Sequence, residues 1–243
     1  NNFAMRIFFN LKDWRPYPSV DGQSLSIRAQ SNGRIYQSYT ISFMEPWLGG
    51  KRANSFSVSL YRSLMTNGKK KGEDGRQSML IDGASIGLGR RLEWPDDFFS
   101  LYGELSYQKY NLNNYSYYQF LFENGESTLI SLMAKLQRFS VGPNIIYPRK
   151  GSSYTLSLQA TPPYTYISGK DMSAAPDEEK YKWIEFHKWV FKSENYFPLT
   201  KDDKLILSAR FAFGYLGHYN RDIGPSPFEN FYVGGDGITG YSF

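Results

Sequence analysis

The chain has 243 residues, which is enough for one large β domain or two small ones. Aromatic residues reach 18%, but no apolar run approaches the ~20 residues of a membrane-spanning helix, so the composition excludes a helical membrane protein. The net charge of +5 is modest and the basic residues are dispersed apart from residues 69–71, so we expect no nucleic-acid partner. The absence of cysteine excludes thiolate catalysis, thiolate metal sites and disulfides.

Apolar and polar residues alternate with a period of two along the whole chain, which predicts about ten β-strands. In chain order, the predicted strands are residues 3–10, 25–30, 39–43, 56–60, 84–90, 99–108, 132–137, 154–159, 184–190 and 205–213. Strands of soluble proteins typically have ~5–6 residues, whereas we expect several of these strands to run to ten residues or more, which is enough to cross a bilayer at a tilt of ~45°. The length therefore favours a transmembrane barrel over a soluble ligand-binding barrel.

The predicted connections alternate in character. One set is compact and usually contains proline: residues 14–18, 45–50, 93–97, 147–151 and 197–200. The other set is long and polar, with residues 32–33 as the short exception: residues 66–77, 111–127, 163–180 and 217 onward. Short turns on one side and long loops on the other are typical of an outer-membrane barrel, in which aromatic residues near the strand ends form interfacial girdles. Ordinary core aromatics are the alternative interpretation.

The alternation assigns each strand residue to one of two faces. We expect the apolar side chains to face lipid: Leu25, Ile27, Ile41, Phe43, Phe56, Val58, Leu156, Leu158, Leu207 and Phe211. We expect charged and polar residues to face the lumen, because an arginine facing lipid at the midplane would cost roughly 2–4 kcal/mol. The predicted lumen-facing set is Arg28, Glu104, Lys135, Glu185, His187 and Arg210. A charged lumen would also suit a passive outer-membrane porin or channel, which is the alternative function.

Two patterns that could indicate catalysis are better explained as strand positions. Gly83, Ser85 and Gly87 match the spacing of a nucleophile elbow, but the alternation continues through them, so Ser85 is predicted in mid-strand rather than at a strand-to-helix turn. His187 shares a face with Glu185, but a metal site needs three or four convergent ligands. We therefore expect no enzymatic activity, no metal and no cofactor.

The last residues, 228–243, contain a glycine pattern that has two alternative interpretations. Gly235, Gly237 and Gly240 match the dinucleotide-binding fingerprint G-x-G-x-x-G. That fingerprint functions only between a strand and a helix of a βαβ unit, and nothing upstream predicts such a unit. The alternative is a glycine-rich loop that folds back on itself, and we favour it.

This stretch resembles the lid-loop signature of BamA-type outer-membrane protein assembly factors. The signature combines a Phe-x-Asn-Phe-Tyr-x-Gly-Gly run with a turn, Val/Ile-Arg-Gly-Phe/Tyr. The run and the turn correspond here to Phe228, Asn230, Phe231, Tyr232, Gly234, Gly235 and Gly237, followed by Ile238, Thr239, Gly240 and Tyr241. Thr239 stands where the family has an arginine that reaches a lumenal acid. The resemblance therefore implies that the docking of this loop is weaker here or uses another residue.

Two other segments support the resemblance, which extends over essentially the whole chain. Residues 36–48 resemble the family's Tyr-Gln-x-Tyr strand that closes on an Asn/Glu-Pro-Trp/Tyr-Leu/Phe turn, and residues 148–152 resemble its Phe-Pro-x-x-Gly-Ser turn. The implied fold is all-β: an antiparallel transmembrane β-barrel, of which residues 1–243 hold about ten consecutive strands. They would be strands 2 to 11 of a sixteen-stranded barrel and the start of the lid loop, residues 217–243. The sheet edges would be residues 1–10 and 205–216, and the POTRA domains and remaining strands would lie elsewhere in a longer polypeptide.

The function implied by the resemblance is that of the central barrel subunit of the β-barrel assembly machinery, the BAM complex of the Gram-negative bacterial outer membrane. Such a subunit catalyses folding and insertion of outer-membrane proteins without ATP or a covalent intermediate. Its weakly paired seam opens to template client strands, which is β-augmentation on an exposed edge. The implied partners are unfolded outer-membrane client proteins, periplasmic and lipoprotein accessory subunits, and outer-membrane lipid.

Overall fold

The computed structural model describes residues 22–48, 54–116, 122–169 and 171–231. In these ranges the chain forms nine strands: β1 (Ser24–Asn32), β2 (Tyr36–Glu45), β3 (Asn54–Thr66), β4 (Ser78–Arg91), β5 (Phe99–Asn113), β6 (Gly125–Phe139), β7 (Gly151–Ala160), β8 (His187–Pro198) and β9 (Ile206–Gly217). Two short helices, α1 (Tyr164–Ser168) and α2 (Asp177–Lys180), lie between β7 and β8. No helix in the described ranges is long and apolar enough to span a membrane. The strand predicted at residues 3–10 lies outside these ranges.

The nine strands form one antiparallel sheet in which each strand pairs with its neighbours in sequence, in the order β1 to β9. The two outermost described strands, β1 and β9, do not pair with each other. Strand lengths run from 9 to 15 residues, which is sufficient to cross a bilayer. The predicted fold class, an antiparallel transmembrane β-barrel, is therefore confirmed, and its sheet is not closed within the described residues.

The two faces of the sheet differ sharply in composition. One row of directly paired residues consists entirely of serine: Ser26, Ser42, Ser59, Ser85, Ser106 and Ser131. The adjacent row on the opposite face is apolar: Leu25, Phe43, Val58, Ile86, Leu105 and Leu132. We call the face with the serine row the lumenal face and the other face the apolar face. Leu105 and Leu132 on the apolar face are 53% and 61% exposed, as expected for side chains that meet lipid.

Glycines on the lumenal face of β4 make room for tyrosine rings from the neighbouring strands. A Cβ on Gly83 would overlap the ring of Tyr61 from β3, and a Cβ on Gly87 would overlap the hydroxyl of Tyr102 from β5. The rings therefore lie flat against the wall, where they cover backbone that has no side chain of its own. Glycine in a strand interior often marks such a close approach.

The buried residues lie mainly where the long connections fold onto the lumenal face. One cluster joins Met79 and Leu112 of the sheet to loop residues Phe122, Met172, Tyr181 and Ile223. A second cluster joins Leu129 of β6 to Ile184 and Phe186, which precede β8. The core thus lies on the lumenal side of the sheet at the end that carries the long loops.

The start of β8 differs from the predicted strand at residues 184–190. Residues before His187 leave the β-ladder and cross over β6, where Ile184 N–H donates to the carbonyl of Thr128 at 3.0 Å. Ile184 and Phe186 are completely buried there. Apolar alternation continues through both parts of the segment, so the pattern alone does not reveal the break between them.

Candidate functional site: the lumenal lid contact

The segment after β9, residues 218–231, lies against the lumenal face of β8 and β9. Lys188 of β8 donates from Nζ to Oε2 of Glu229 at 2.9 Å and to the carbonyl oxygen of Asn230 at 3.3 Å. The same Nζ lies 4.8 Å from the centroid of the Phe231 ring, within the range of a cation–π contact. The Lys188 and Glu229 side chains are 19% and 21% exposed, so water screens this pair less than a surface ion pair.

The ring of Phe231 rests directly on the β9 backbone. A Cβ on Gly214 would lie 2.7 Å from Cε1 of Phe231, closer than real side chains approach. Gly214 pairs with Val190 on the lumenal face, directly beside the paired residues Lys188 and Leu216. The ring therefore occupies a place on the wall that only glycine leaves open.

Phe228 anchors the same segment deeper in the lumenal core. Its ring lies 4.8 Å from that of Tyr110 on β5 and 6.2 Å from that of Phe122, and it packs against both buried clusters. Tyr181 donates its hydroxyl to the carbonyl oxygen of Ile223 at 2.9 Å. Burial, with a smaller contribution from the nearby Asp177, raises the pKa of Tyr181, so its hydroxyl remains a donor.

Four of the six residues predicted to face the lumen lie on the lumenal face of a strand: Arg28, Glu104, Lys135 and Arg210. Glu104 accepts a hydrogen bond from the Tyr102 hydroxyl at 2.6 Å. Arg210 pairs with Glu194 at 2.6 Å, but its side chain is 71% exposed, so the pair adds little stability.

The other two predicted lumenal residues lie elsewhere. Glu185 precedes β8 and is buried in the loop between β7 and β8, where Thr165 donates to its carboxylate. His187 begins β8 on the apolar face and accepts a hydrogen bond at Nδ1 from Trp189 Nε1 at 3.1 Å. The prediction placed both on one lumenal face because it continued the alternation through the break before His187.

The pattern that could indicate a catalytic serine lies in the middle of a strand. Ser85 lies within β4 as one of the serine row and is paired with Ser59 and Ser106. Within the described ranges, no three His, Asp or Glu side chains converge in a way that could hold a metal ion.

The turn at Ile238, Thr239, Gly240 and Tyr241 lies outside the described residues, as do Tyr232, Gly234, Gly235 and Gly237. Of the predicted lid-loop residues, the structure describes Phe228, Asn230 and Phe231, and all three contact the sheet or its core. Their partners on the wall, Lys188 and Gly214, were not predicted from the sequence. A glycine at a lumen-facing position of a strand was the signal available for Gly214.

Comparisons with known proteins agree with this architecture. The Omp85 superfamily domain matches residues 21–243. The structure is similar, with a TM-score of 0.62 and 18% sequence identity, to the crystal structure of BamA from Haemophilus ducreyi lacking POTRA domains 1–3. That match covers 89% of this chain and 39% of the BamA chain, so this chain spans well under half of its structural relative. No curated protein matches the sequence. The chain belongs to the Omp85 superfamily, a family of outer-membrane proteins of insertion and transport, and its sheet is part of a BamA-type β-barrel.

Proposed function

We propose that this chain is part of the central barrel subunit of a machinery that folds and inserts β-barrel proteins into the bacterial outer membrane. Family membership supports the general role. The observation that carries the specific role is the return of the segment after β9 to the lumenal wall, through Phe228 in the core and Phe231 on Gly214. This is the direction that a lid loop must take to reach the lumen.

In this proposal the protein acts through its backbone edges rather than through a catalytic side chain, so it is not an enzyme. Residues 1–243 belong to a partial barrel domain, from about strand 2 to strand 11, and the seam lies in strands outside this chain. An unpaired strand edge offers a row of backbone donors and acceptors that a client strand can pair with. No bond is made or broken, and no nucleotide or metal is required.

The partners in this proposal follow from the same chemistry. Unfolded outer-membrane proteins supply the client strands, and periplasmic and lipoprotein accessory subunits deliver them. Outer-membrane lipid contacts the apolar face, where Ile27 is 72% exposed and Leu60 53% exposed. We accordingly propose the bacterial outer membrane as the location.

A passive channel is the alternative function, and the packing of the lumenal side weighs against it. A conducting pore needs an open lumen, yet loop residues Ile184, Phe186 and Ile223 are buried on the lumenal face. Apolar loop residues packed on the lumenal wall fit a barrel that inserts proteins sideways better than a barrel that conducts solutes along its axis.

The turn at residues 238–241 provides the test. Gly240→Val in the full-length protein should reduce insertion of a reporter barrel more than Thr239→Ala does. The first change removes a backbone conformation that glycine adopts at little cost, whereas the second removes one hydroxyl. The assay measures reporter insertion into membranes that contain equal amounts of each stably expressed variant. Full activity of Gly240→Val would contradict the assembly function.

A further inference from the structure

The apolar face has a gap in its surface where two neighbouring strands carry small residues. Gly103 of β5 pairs directly with Ala134 of β6, and this pair is flanked in the same row by Leu88 of β4 and Leu158 of β7. The nearest atom to a Cβ on Gly103 is the Met133 carbonyl oxygen, at 3.9 Å, so the flanking leucines do not cover the glycine. The space above the Gly103–Ala134 pair is therefore open.

This gap belongs to a groove of about 470 Å³ that is apolar except at one end. The neighbouring rows of the apolar face continue its surroundings with large apolar residues: Ile86, Leu105 and Leu132 in one row, and Leu101 and Leu136 in the other. Among the described residues that line the groove, Arg90 is the one that carries a charge. The groove therefore combines a surface for hydrocarbon with a single cationic end.

Arg90 has no acidic partner on this face. It is exposed, and it forms no ion pair within the described ranges. Its neighbours in the same row, Asn54 and Leu101, carry no charge. Asp96 in the following turn is already paired with Arg138. On a surface that meets lipid, water hydrates a guanidinium less than it does on a soluble protein, so an anion at this position is favourable.

The strand geometry places Arg90 at the border of the hydrocarbon layer. Between Asp82 and Arg90, the residues of β4 on the apolar face are Ala84, Ile86 and Leu88. Eight residues span ~27 Å along a strand, which at a tilt of ~35–45° is about 19–22 Å across the membrane. This height is close to the ~25 Å apolar band of outer-membrane barrels. Arg90 therefore lies at the level of lipid phosphates, on the side of the short turns.

We propose that this groove binds one diacyl phospholipid from the leaflet on the side of the short turns. The Arg90 guanidinium pairs with the phosphate, because its planar donors match phosphate oxygens. One acyl chain enters the gap over Gly103 and Ala134, which lies two residues, or ~7 Å, along the strands from Arg90. A lipid without a phosphate loses the ion pair, and a headgroup without chains loses the apolar contact. The site depends on the assignment of the apolar face to lipid and not on the proposed insertion function.

The test is native mass spectrometry of the delipidated full-length protein in detergent micelles, titrated with dioleoylphosphatidylglycerol, dioleoylglycerol or glycerol 3-phosphate. We expect saturable binding of a first phosphatidylglycerol, at least fivefold weaker binding of dioleoylglycerol and no binding of glycerol 3-phosphate. Equal binding of phosphatidylglycerol and dioleoylglycerol would overturn the proposal, as would loading of phosphatidylglycerol without a saturable first molecule. Either result would show that lipid covers this face without a specific site.

Two matched pairs of variants locate the site. Arg90→Gln should weaken phosphatidylglycerol binding at least fivefold, whereas Arg91→Gln removes the same charge from the lumenal face and should change it less than twofold. Ala134→Leu fills the gap and should also weaken binding at least fivefold. Ala84→Leu makes the same change on the apolar face outside the groove and should have little effect. Heat-dependent mobility in gel electrophoresis shows which variants are folded, and equal affinities within either folded pair would contradict the site.

Discussion

At the residue scale, the lid contact depends on one residue without a side chain and on one charge. Gly214 leaves room for the Phe231 ring, and Lys188 holds Glu229 beside it. Lys188 and Gly214 are distant in sequence from residues 229–231. Only the folded sheet brings these two residues into contact with that segment. Alternation placed Arg28 and Glu104 from local sequence alone, whereas no local pattern specifies the Lys188–Glu229 pair.

Gly214→Val should displace Phe231 from the wall. The new side chain would need the space of a ring whose Cε1 lies 2.7 Å from the Cβ position, and such overpacking typically costs ~1–3 kcal/mol. We expect faster tryptic cleavage after Arg221 and reduced reporter insertion. Gly103→Val is the control, because the nearest atom to its Cβ is the Met133 carbonyl at 3.9 Å. Equal cleavage of the two variants would contradict the contact.

The contact between Gly83 and Tyr61 gives a second prediction. Gly83→Ala should lower the free energy of unfolding by ~1–3 kcal/mol, because its Cβ would overlap the Tyr61 ring. Combining it with Tyr61→Ala removes the clash, so the double variant should lose less stability than the sum of the single changes. Urea unfolding in lipid vesicles measures each value, and strict additivity would show that the ring does not lie on Gly83.

At the scale of the strands, period-two alternation predicted most strand positions, whereas the fold class also needed the strand lengths, the two kinds of connection and the family resemblance. Eight of the predicted strands fall within or nearly within observed ones, because a sheet with one apolar face fixes the register of each strand. The break before His187 was not predictable, because buried loop residues Ile184 and Phe186 continue the same apolar rhythm. In the sequence, a loop that packs on the lumenal face therefore shows the same apolar alternation as a strand.

The apolar face ends at a band of charge near the long loops. Arg62 of β3 pairs with Asp82 of β4 at 2.5 Å, and Lys109 of β5 pairs with Glu126 of β6 at 2.9 Å. These exposed pairs add little stability. Their position on the face that carries Leu60 and Tyr107 marks the level at which the lipid hydrocarbon gives way to headgroups.

Two adjacent residues of β6 test the assignment of faces. Leu132→Arg places a charge on the apolar face at mid-height and should cost ~2–4 kcal/mol in lipid. Met133→Arg places the same side chain on the lumenal face, directly opposite Glu104, and should be tolerated. Equilibrium refolding into vesicles measures both. A larger loss for Met133→Arg than for Leu132→Arg would reverse the two faces.

At the scale of the whole molecule, the described sheet has two unpaired edges, β1 and β9. An open edge at membrane depth leaves backbone groups unsatisfied, so each must pair with another strand in the membrane. We expect β9 to pair with a strand outside this chain and β1 to pair with residues 3–10. Cysteines placed in β9 of the full-length protein should therefore form no disulfide with cysteines placed in β1.

In the proposed function this barrel inserts proteins and does not serve as a passive pore. The most direct measurement reconstitutes the full-length protein, with its copurifying subunits, into liposomes and records reporter insertion and ion conductance on the same preparation. We expect efficient insertion of the reporter barrel with low steady conductance, because apolar loop residues pack on the lumenal face. High steady conductance without reporter insertion would contradict it.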